Sequence, residues 1–469
     1  MNLNINIRMM QINKQSSQNT YEIMFLSVSV LLVFLDAYQI FGIPIPWLGM
    51  TLLFLFALTK YKLFYESKNL VIVSILIAIV MIPQIIYIFF NEVSQGEIQY
   101  LFLRLLNIFS FVIVLLFSLT YFRNEKVMSF FDTWKYLIGA MSALTIYIFI
   151  AQIYDLSEFI RNRSNTNLFG DSDQSTFWLS EPHRAMGTFR EPVLLISFLM
   201  PLIVLYLYKY KSSNYLLSII SGVALGLSRS NYLRLFCILF LTFVLFNYLK
   251  TKELNRSLLL FLVVSLVMSN FGVFECNLNS DSRQCIEYEE DVQKMNSSGE
   301  IKIDVNSDTE ELGLGNDRLN VLNFFINSFR DITPKSIINI NSDYQDYSSV
   351  RVNEEMYFTN RTLPKYLLQR YSTQNFGTGN YSLLKYDLNV QNLFVFYTQA
   401  FGIIFPLILF LIFLNIIVQK KELLKLFFFF SFILFFFVSP VEEVNAFYGL
   451  IIGAAYNLIF MKEDINANT

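Results

Sequence analysis

The residues best suited to chemistry concentrate in Glu181 to Pro192, EPHRAMGTFREP, where His183, Arg184 and Arg190 stand beside Glu191 as a polar stretch meets a long apolar run. Arginine suits one substrate chemistry well, because its planar fork binds the oxygens of a phosphate or diphosphate in pairs and needs no metal to do so. Arg229 and Arg234 occur in SRSNYLR, between two further apolar runs, and Arg318 follows in a polar stretch. Interfacial arginines also snorkel toward lipid phosphates, so residue type leaves lipid anchoring open beside catalysis. No acidic cluster with metal-ligand spacing occurs in the sequence, so neither a metal nor another cofactor is expected, and charge on a diphosphate leaving group would fall to these arginines.

Their neighbours each carry two readings. Glu191-Pro192 is either a plain helix start, with proline in the first turn and an acid favoured by the helix dipole, or the place of a general base. In the second case Glu191 takes the proton of an acceptor hydroxyl, or holds Arg184 or Arg190 in position. His183 is the chain's one histidine, a bystander or a base with a suitable unperturbed pKa. Gly187 permits a tight turn, whereas Gly377-Thr378-Gly379 marks a flexible loop more than a phosphate cradle. Glu442 and Glu443 fall in the turn of the last hairpin, facing the same cavity or water.

The elements that must position these residues follow from composition. Of 469 residues 54% are hydrophobic and 15% charged, which makes the chain an all-α, polytopic membrane protein. A net charge near −2 gives no sign of a nucleic-acid partner. Runs long enough to cross hydrocarbon number about twelve, placed at 21–41, 44–60, 70–90, 99–121, 134–154, 191–208, 213–228, 231–249, 256–273, 392–418, 424–439 and 443–460. Lys60, Arg123, Lys209, Lys250 and Lys420, with their basic neighbours, fall in alternate connections, which the positive-inside rule makes cytoplasmic. The tails 1–20 and 461–469 are then cytoplasmic, and two long loops, 155–190 and 274–391, lie outside.

The larger outer loop, between the ninth and tenth spans, divides by composition. Glu275 to Asp317 holds twelve acidic against three basic residues and reads as a flexible acidic insertion over 274–317. The remainder, 318–391, reads as a folded cap, with helical apolar spacing at Leu319, Leu322, Phe325 and Phe329. Cys276 and Cys285, with eight residues between them in an oxidising compartment, can close a disulfide. Cys237 lies inside a predicted span as a small buried apolar residue.

Three stretches in this order, RAMGTFREP before a span, LGLSRSNYLRL, and QNLFVFYTQAFGIIFP after the large loop, resemble the O-antigen polymerase (Wzy) and O-antigen ligase superfamily across residues 180 to 415. The matching elements are Arg-x-x-Gly-x-Phe-x-Glu-Pro, Ser-Arg, and a helix opened by Asn-x-x-Leu. The resemblance implies a GT-C-like glycosyltransferase fold in a bacterial inner membrane, with undecaprenyl-diphosphate-linked oligosaccharide as donor. It assigns Arg184, Arg190, Glu191, Arg229 and Arg318 to catalysis, with His183, Arg234, Arg370 and Asn392 in substrate binding; Arg370, near FGTGN, rivals Arg318 as the loop arginine. The ligase pattern carries a histidine just before the tenth span, where this chain has Val390, Gln391 and Asn392.

That departure favours a polymerase, which moves a growing glycan from its lipid diphosphate onto an incoming lipid-linked repeat unit and can work beside a chain-length regulator protein. Two alternatives stand next to it. A ligase would pass the same donor to a lipid core, and a lipid-linked oligosaccharide flippase would line a central cavity with cations. Here the charges gather at the outer ends of the spans.

Overall fold

The structure is a computed structural model and describes residues 21–60, 95–122, 126–154, 156–157, 165–167, 170–172, 184–210, 214–270, 393, 397, 404–419, 422–438 and 444–460. These are helical apart from two small hairpins and the turns and connecting stretches between elements. The helices are α1 Tyr21–Val33, α2 Ile45–Thr59, α3 Gln95–Tyr121, α4 Lys126–Ile153, α5 Pro192–Lys209, α6 Tyr215–Gly226, α7 Asn231–Thr251, α8 Arg256–Asn270, α9 Ile404–Gln419, α10 Leu423–Val438 and α11 Ala446–Phe460. The strands β1 Gln39–Ile40 and β2 Ile43–Pro44 form one antiparallel hairpin, and β3 Asn165–Asn167 with β4 Gly170–Ser172 form the other.

Within α4, α5 and α7 the stretches Phe130–Ala151, Pro192–Lys209 and Tyr232–Thr251 are long and apolar enough to cross a membrane. The other eight helices contain shorter apolar stretches. Each overlaps an expected span, and the expected span at 70–90 lies outside the described residues, as do the acidic insertion, the cap and both tails.

One boundary differs from the sequence reading. The first span was expected to run to residue 41, yet α1 stops at Val33 and the chain turns through Phe34–Tyr38 into the β1–β2 hairpin. Ile40 pairs with Ile43, leaving Phe41 and Gly42 as the two loop residues, both with positive φ (51° and 78°). That is the backbone a tight two-residue hairpin turn requires. Pro44 and Pro46 then open α2, where a missing N–H costs no hydrogen bond.

Helix α5 is buried along almost its whole length, as befits an element apolar on every side. It packs against α4, α6, α8, α10 and α11. The most extensive helix pairs are α3 with α11 and α6 with α8. At Gly226, the last residue of α6, an added Cβ would lie 2.4 Å from the Cβ of Met268 on α8. The absence of a side chain there brings the α6 terminus against the end of α8.

Polar contacts gather at the two ends of this helical body. At one end Lys60 pairs with Glu22 at 2.6 Å and the Tyr121 hydroxyl donates to the same carboxylate at 2.7 Å. Ser27 and Thr133 share a hydrogen bond there, the Tyr210 hydroxyl donates to Asp132, and Asn255 donates to the Leu207 carbonyl. Burial and the Asp132 carboxylate both push the Tyr210 hydroxyl well above its ordinary pKa, so it stays a proton donor. The opposite end carries Asp36, the 184–191 segment and the α6–α7 turn.

Candidate functional site

The site is built on residues 184–191, which run into the N-terminus of α5. Ala185, Met186 and Phe189 are buried, while Arg184, Arg190 and Glu191 keep partial exposure. Apolar side chains therefore anchor the segment and the charged ones face the end of the bundle. Gly187 adopts φ 59°, and a Cβ there would stand 2.4 Å from the Oγ1 of Thr145 on α4. Glycine answers both constraints at once, a left-handed backbone and close approach to a neighbouring helix. Glu191 occupies the N-cap position of α5 in an extended conformation, with Pro192 as first helical residue and no capping hydrogen bond from the carboxylate. The helix-start reading of Glu191-Pro192 is thus correct as local structure.

The segment is tied down at both of its ends. At the first, Arg184 donates through Nε to the carbonyl of Ser228 at 2.8 Å, and the Ala185 amide donates to Leu227 at 3.0 Å. At the second, Arg190 donates to Asp36 through Nε at 2.9 Å and through its amide at 3.3 Å. Between them the Thr188 hydroxyl donates to the Phe34 carbonyl at 2.6 Å, and the Ala37 amide donates to the Thr188 carbonyl at 2.9 Å. Phe189 lies against Phe34 with ring centroids 5.8 Å apart.

The α6–α7 turn supplies the second pair of arginines. It is as short as SRSNYLR suggested, with Leu227 at the C-cap position of α6 and Ser230 at the N-cap position of α7. Arg229 between them has φ 52°, a left-handed backbone that costs a non-glycine residue roughly 1 kcal/mol or more. Its Nε and Nη1 atoms are buried. Arg234, in the first turn of α7, donates through Nη2 to the Ser269 carbonyl at the end of α8, at 2.5 Å. No acidic residue lies at the N-cap or in the first turn of α7, so the positive end of its dipole adds to the arginine charge, whereas Glu191 at the N-cap of α5 offsets the dipole of that helix.

Of the residues picked out from sequence, Arg184, Arg190, Glu191, Arg229 and Arg234 thus lie at one end of the bundle. His183, Arg318, Arg370, Asn392, Cys276, Cys285, the Gly377–Gly379 stretch and the Glu442-Glu443 pair lie outside the described residues. Cys237 is fully buried within α7. Among the described residues no group of three His, Cys, Asp or Glu side chains is arranged to hold a metal ion.

Sequence reasoning missed Asp36. Glu191 was the carboxylate offered as a holder for Arg190, and the carboxylate found on its guanidinium is that of Asp36, 154 positions away. A signal was available, since Asp36 is an acid deep in an expected span, and such residues rarely lack a partner or a task. The identity of that partner was not.

No protein-family model matches the chain, and neither a curated protein nor a solved structure matches it.

Proposed function

We propose that the chain is a bacterial polysaccharide polymerase of the O-antigen type, a multispan inner-membrane glycosyltransferase that uses an oligosaccharide on undecaprenyl diphosphate. The observation that carries this reading is the gathering of Arg184, Arg190, Arg229 and Arg234, from two loop segments and a helix start, at one end of the helical body. Backbone carbonyls at Ser228 and Ser269 hold Arg184 and Arg234 in direction, and a carbonyl orients a guanidinium without cancelling its charge. With the N-terminus of α7 added, the arrangement suits a dense anion such as a diphosphate.

In the proposed reaction the acceptor hydroxyl oxygen of a lipid-linked repeat unit bonds to the anomeric carbon of the growing glycan as the bond from that carbon to the diphosphate oxygen breaks. The hydroxyl proton passes to a base, for which Glu191 stands nearest in sequence to the cationic residues. The lipid diphosphate leaves with its electron pair. Its charge rises as the bond breaks, so the arginines stabilise the transition state more than the bound donor. No metal takes part in this scheme, consistent with a sequence that has no acidic ligand cluster.

The remaining expectations belong to the same proposal: about twelve spans in a GT-C-like arrangement, both termini cytoplasmic, and the arginine end facing outward beneath a loop that closes over the site. The deciding experiment is gel analysis of surface glycan from a strain lacking the gene. Loss of a polymerase leaves a single repeat unit on the lipid core. Loss of a ligase or a flippase leaves none, and that outcome would remove the proposal.

A further inference from the structure

We infer that Asp36 is a positioning residue of the cationic site, holding the Arg184–Glu191 segment in register through Arg190; this rests on the polymerase reading above. Residues 34–37 form the floor beneath that segment. They receive the Thr188 hydroxyl at Phe34, return the Ala37 amide to the Thr188 carbonyl, and present the Asp36 carboxylate to both the amide and the Nε of Arg190. One carboxylate oxygen thus fixes the backbone of residue 190 and the plane of its guanidinium together.

The rest of the segment transmits that registration. Arg184, six residues earlier, is fastened to the turn that carries Arg229, so the segment spans from the α1 terminus to the α6–α7 turn. Releasing Arg190 from Asp36 lets residues 190–191 shift relative to Thr188, which stays held by Phe34 and Ala37, and the spacing of the guanidinium groups shifts with them. Asp36 is itself only 7% exposed, so it has no reach to a substrate and acts through Arg190.

Burial also predicts how each partner tolerates substitution. Removing Arg190 takes the guanidinium from a mostly buried carboxylate, a change that lowers stability together with function. Removing the Asp36 charge leaves an arginine whose side chain is 24% exposed and can turn to water. Asp36 variants are therefore the informative ones: Asp36→Asn keeps the volume but replaces two charge-assisted bonds to Arg190 with neutral ones about half as strong.

The test uses the full chain, purified from membranes in detergent, as wild type, Asp36→Asn, Asp36→Glu and Asp36→Ala. Two quantities are read: the rise in melting temperature on adding inorganic pyrophosphate, and glycan transfer per mole of folded protein. Positioning predicts a diminished pyrophosphate rise in Asp36→Asn, transfer lower by roughly tenfold or more, and partial recovery in Asp36→Glu. A structural role alone lowers the starting melting temperature and leaves the pyrophosphate rise and the transfer per folded molecule unchanged. That result in Asp36→Asn overturns the inference, whether or not Asp36→Ala folds. If wild type shows no rise with pyrophosphate, the diphosphate reading itself has failed, an outcome distinct from a wild-type rise that Asp36→Asn retains in full.

Discussion

Arg184 donates through its Nε to the carbonyl oxygen of Ser228 at 2.8 Å, so the first arginine of the segment leading into α5 is fastened to the turn that carries Arg229. Two stretches that a sequence reader meets 44 positions apart are one structural unit. Their cationic side chains therefore respond together to any change in the turn, and substitutions at one should be non-additive with those at the other.

Lysine replacement separates diphosphate binding from lipid anchoring. Arg184→Lys and Arg229→Lys keep the charge and lose the fork, so glycan ladders should fall by roughly tenfold or more at normal membrane levels. Arg190→Lys should fall likewise, because an ammonium does not reproduce donation from Nε to Asp36. Arg318→Lys is expected to follow them, and Arg351→Lys or Arg361→Lys, which lack any motif context, to be milder. Wild-type ladders from the first three variants would show that the cationic rim anchors lipid.

Arg229 permits a sharper version of the same test, because its backbone is strained at φ 52°. Arg229→Gly relieves that strain and Arg229→Ala does not, so the glycine variant should melt higher than the alanine variant by an amount equivalent to roughly 1 kcal/mol. Both should be equally inactive if the guanidinium is what matters. Melting curves and ladders from the two variants check each half.

Gly187→Ala is expected to be severe. It places a methyl 2.4 Å from Thr145 Oγ1 on a left-handed backbone, a combination costing roughly 1–3 kcal/mol or more. Thr145→Ala in the same chain removes the overlap with Oγ1 and should recover part of the membrane level, while the φ penalty persists. Equal levels of Gly187→Ala and wild type would contradict the packing described for this segment.

Orientation is checked by single cysteines and an impermeant thiol reagent in intact cells. Cysteines at Asn306 and Gln374 should label and those at Lys126 and Lys421 should not, in a background with Cys276 and Cys285 changed to Ser. Cys237 can stay, since it is fully buried. Strong labelling at Lys126→Cys would reverse the proposed orientation.

The Cys276–Cys285 disulfide should be found intact in non-reduced peptides by mass spectrometry. Its short ring limits the chain-entropy gain to at most ~3 kcal/mol, confined to the acidic insertion. The double Ser variant should therefore keep its activity. Two free thiols in the native protein would exclude the bond.

What the sequence alone determined here is everything that acts over a single run of chain. The limits of α5, α6, α7 and α10 were legible to within a few residues because hydropathy is summed locally. Gly187 as a turn, Pro192 as a first helical residue and Cys237 as a buried one follow from the chemistry of each side chain and its backbone. The early end of α1 was not legible, since Phe34, Leu35, Ile40 and Phe41 prolong the apolar run past Asp36 and Gln39, and the chain leaves the helix where it meets Thr188 and Arg190. Nor were the partners of the arginines. Asp36, Ser228 and Ser269 are chosen through space, by helix packing that brings the ends of α1, α6 and α8 to residues 184–190 and α7. A partly buried guanidinium donates to whichever acceptor the fold delivers to within about 3 Å, and only the tertiary structure decides which one that is.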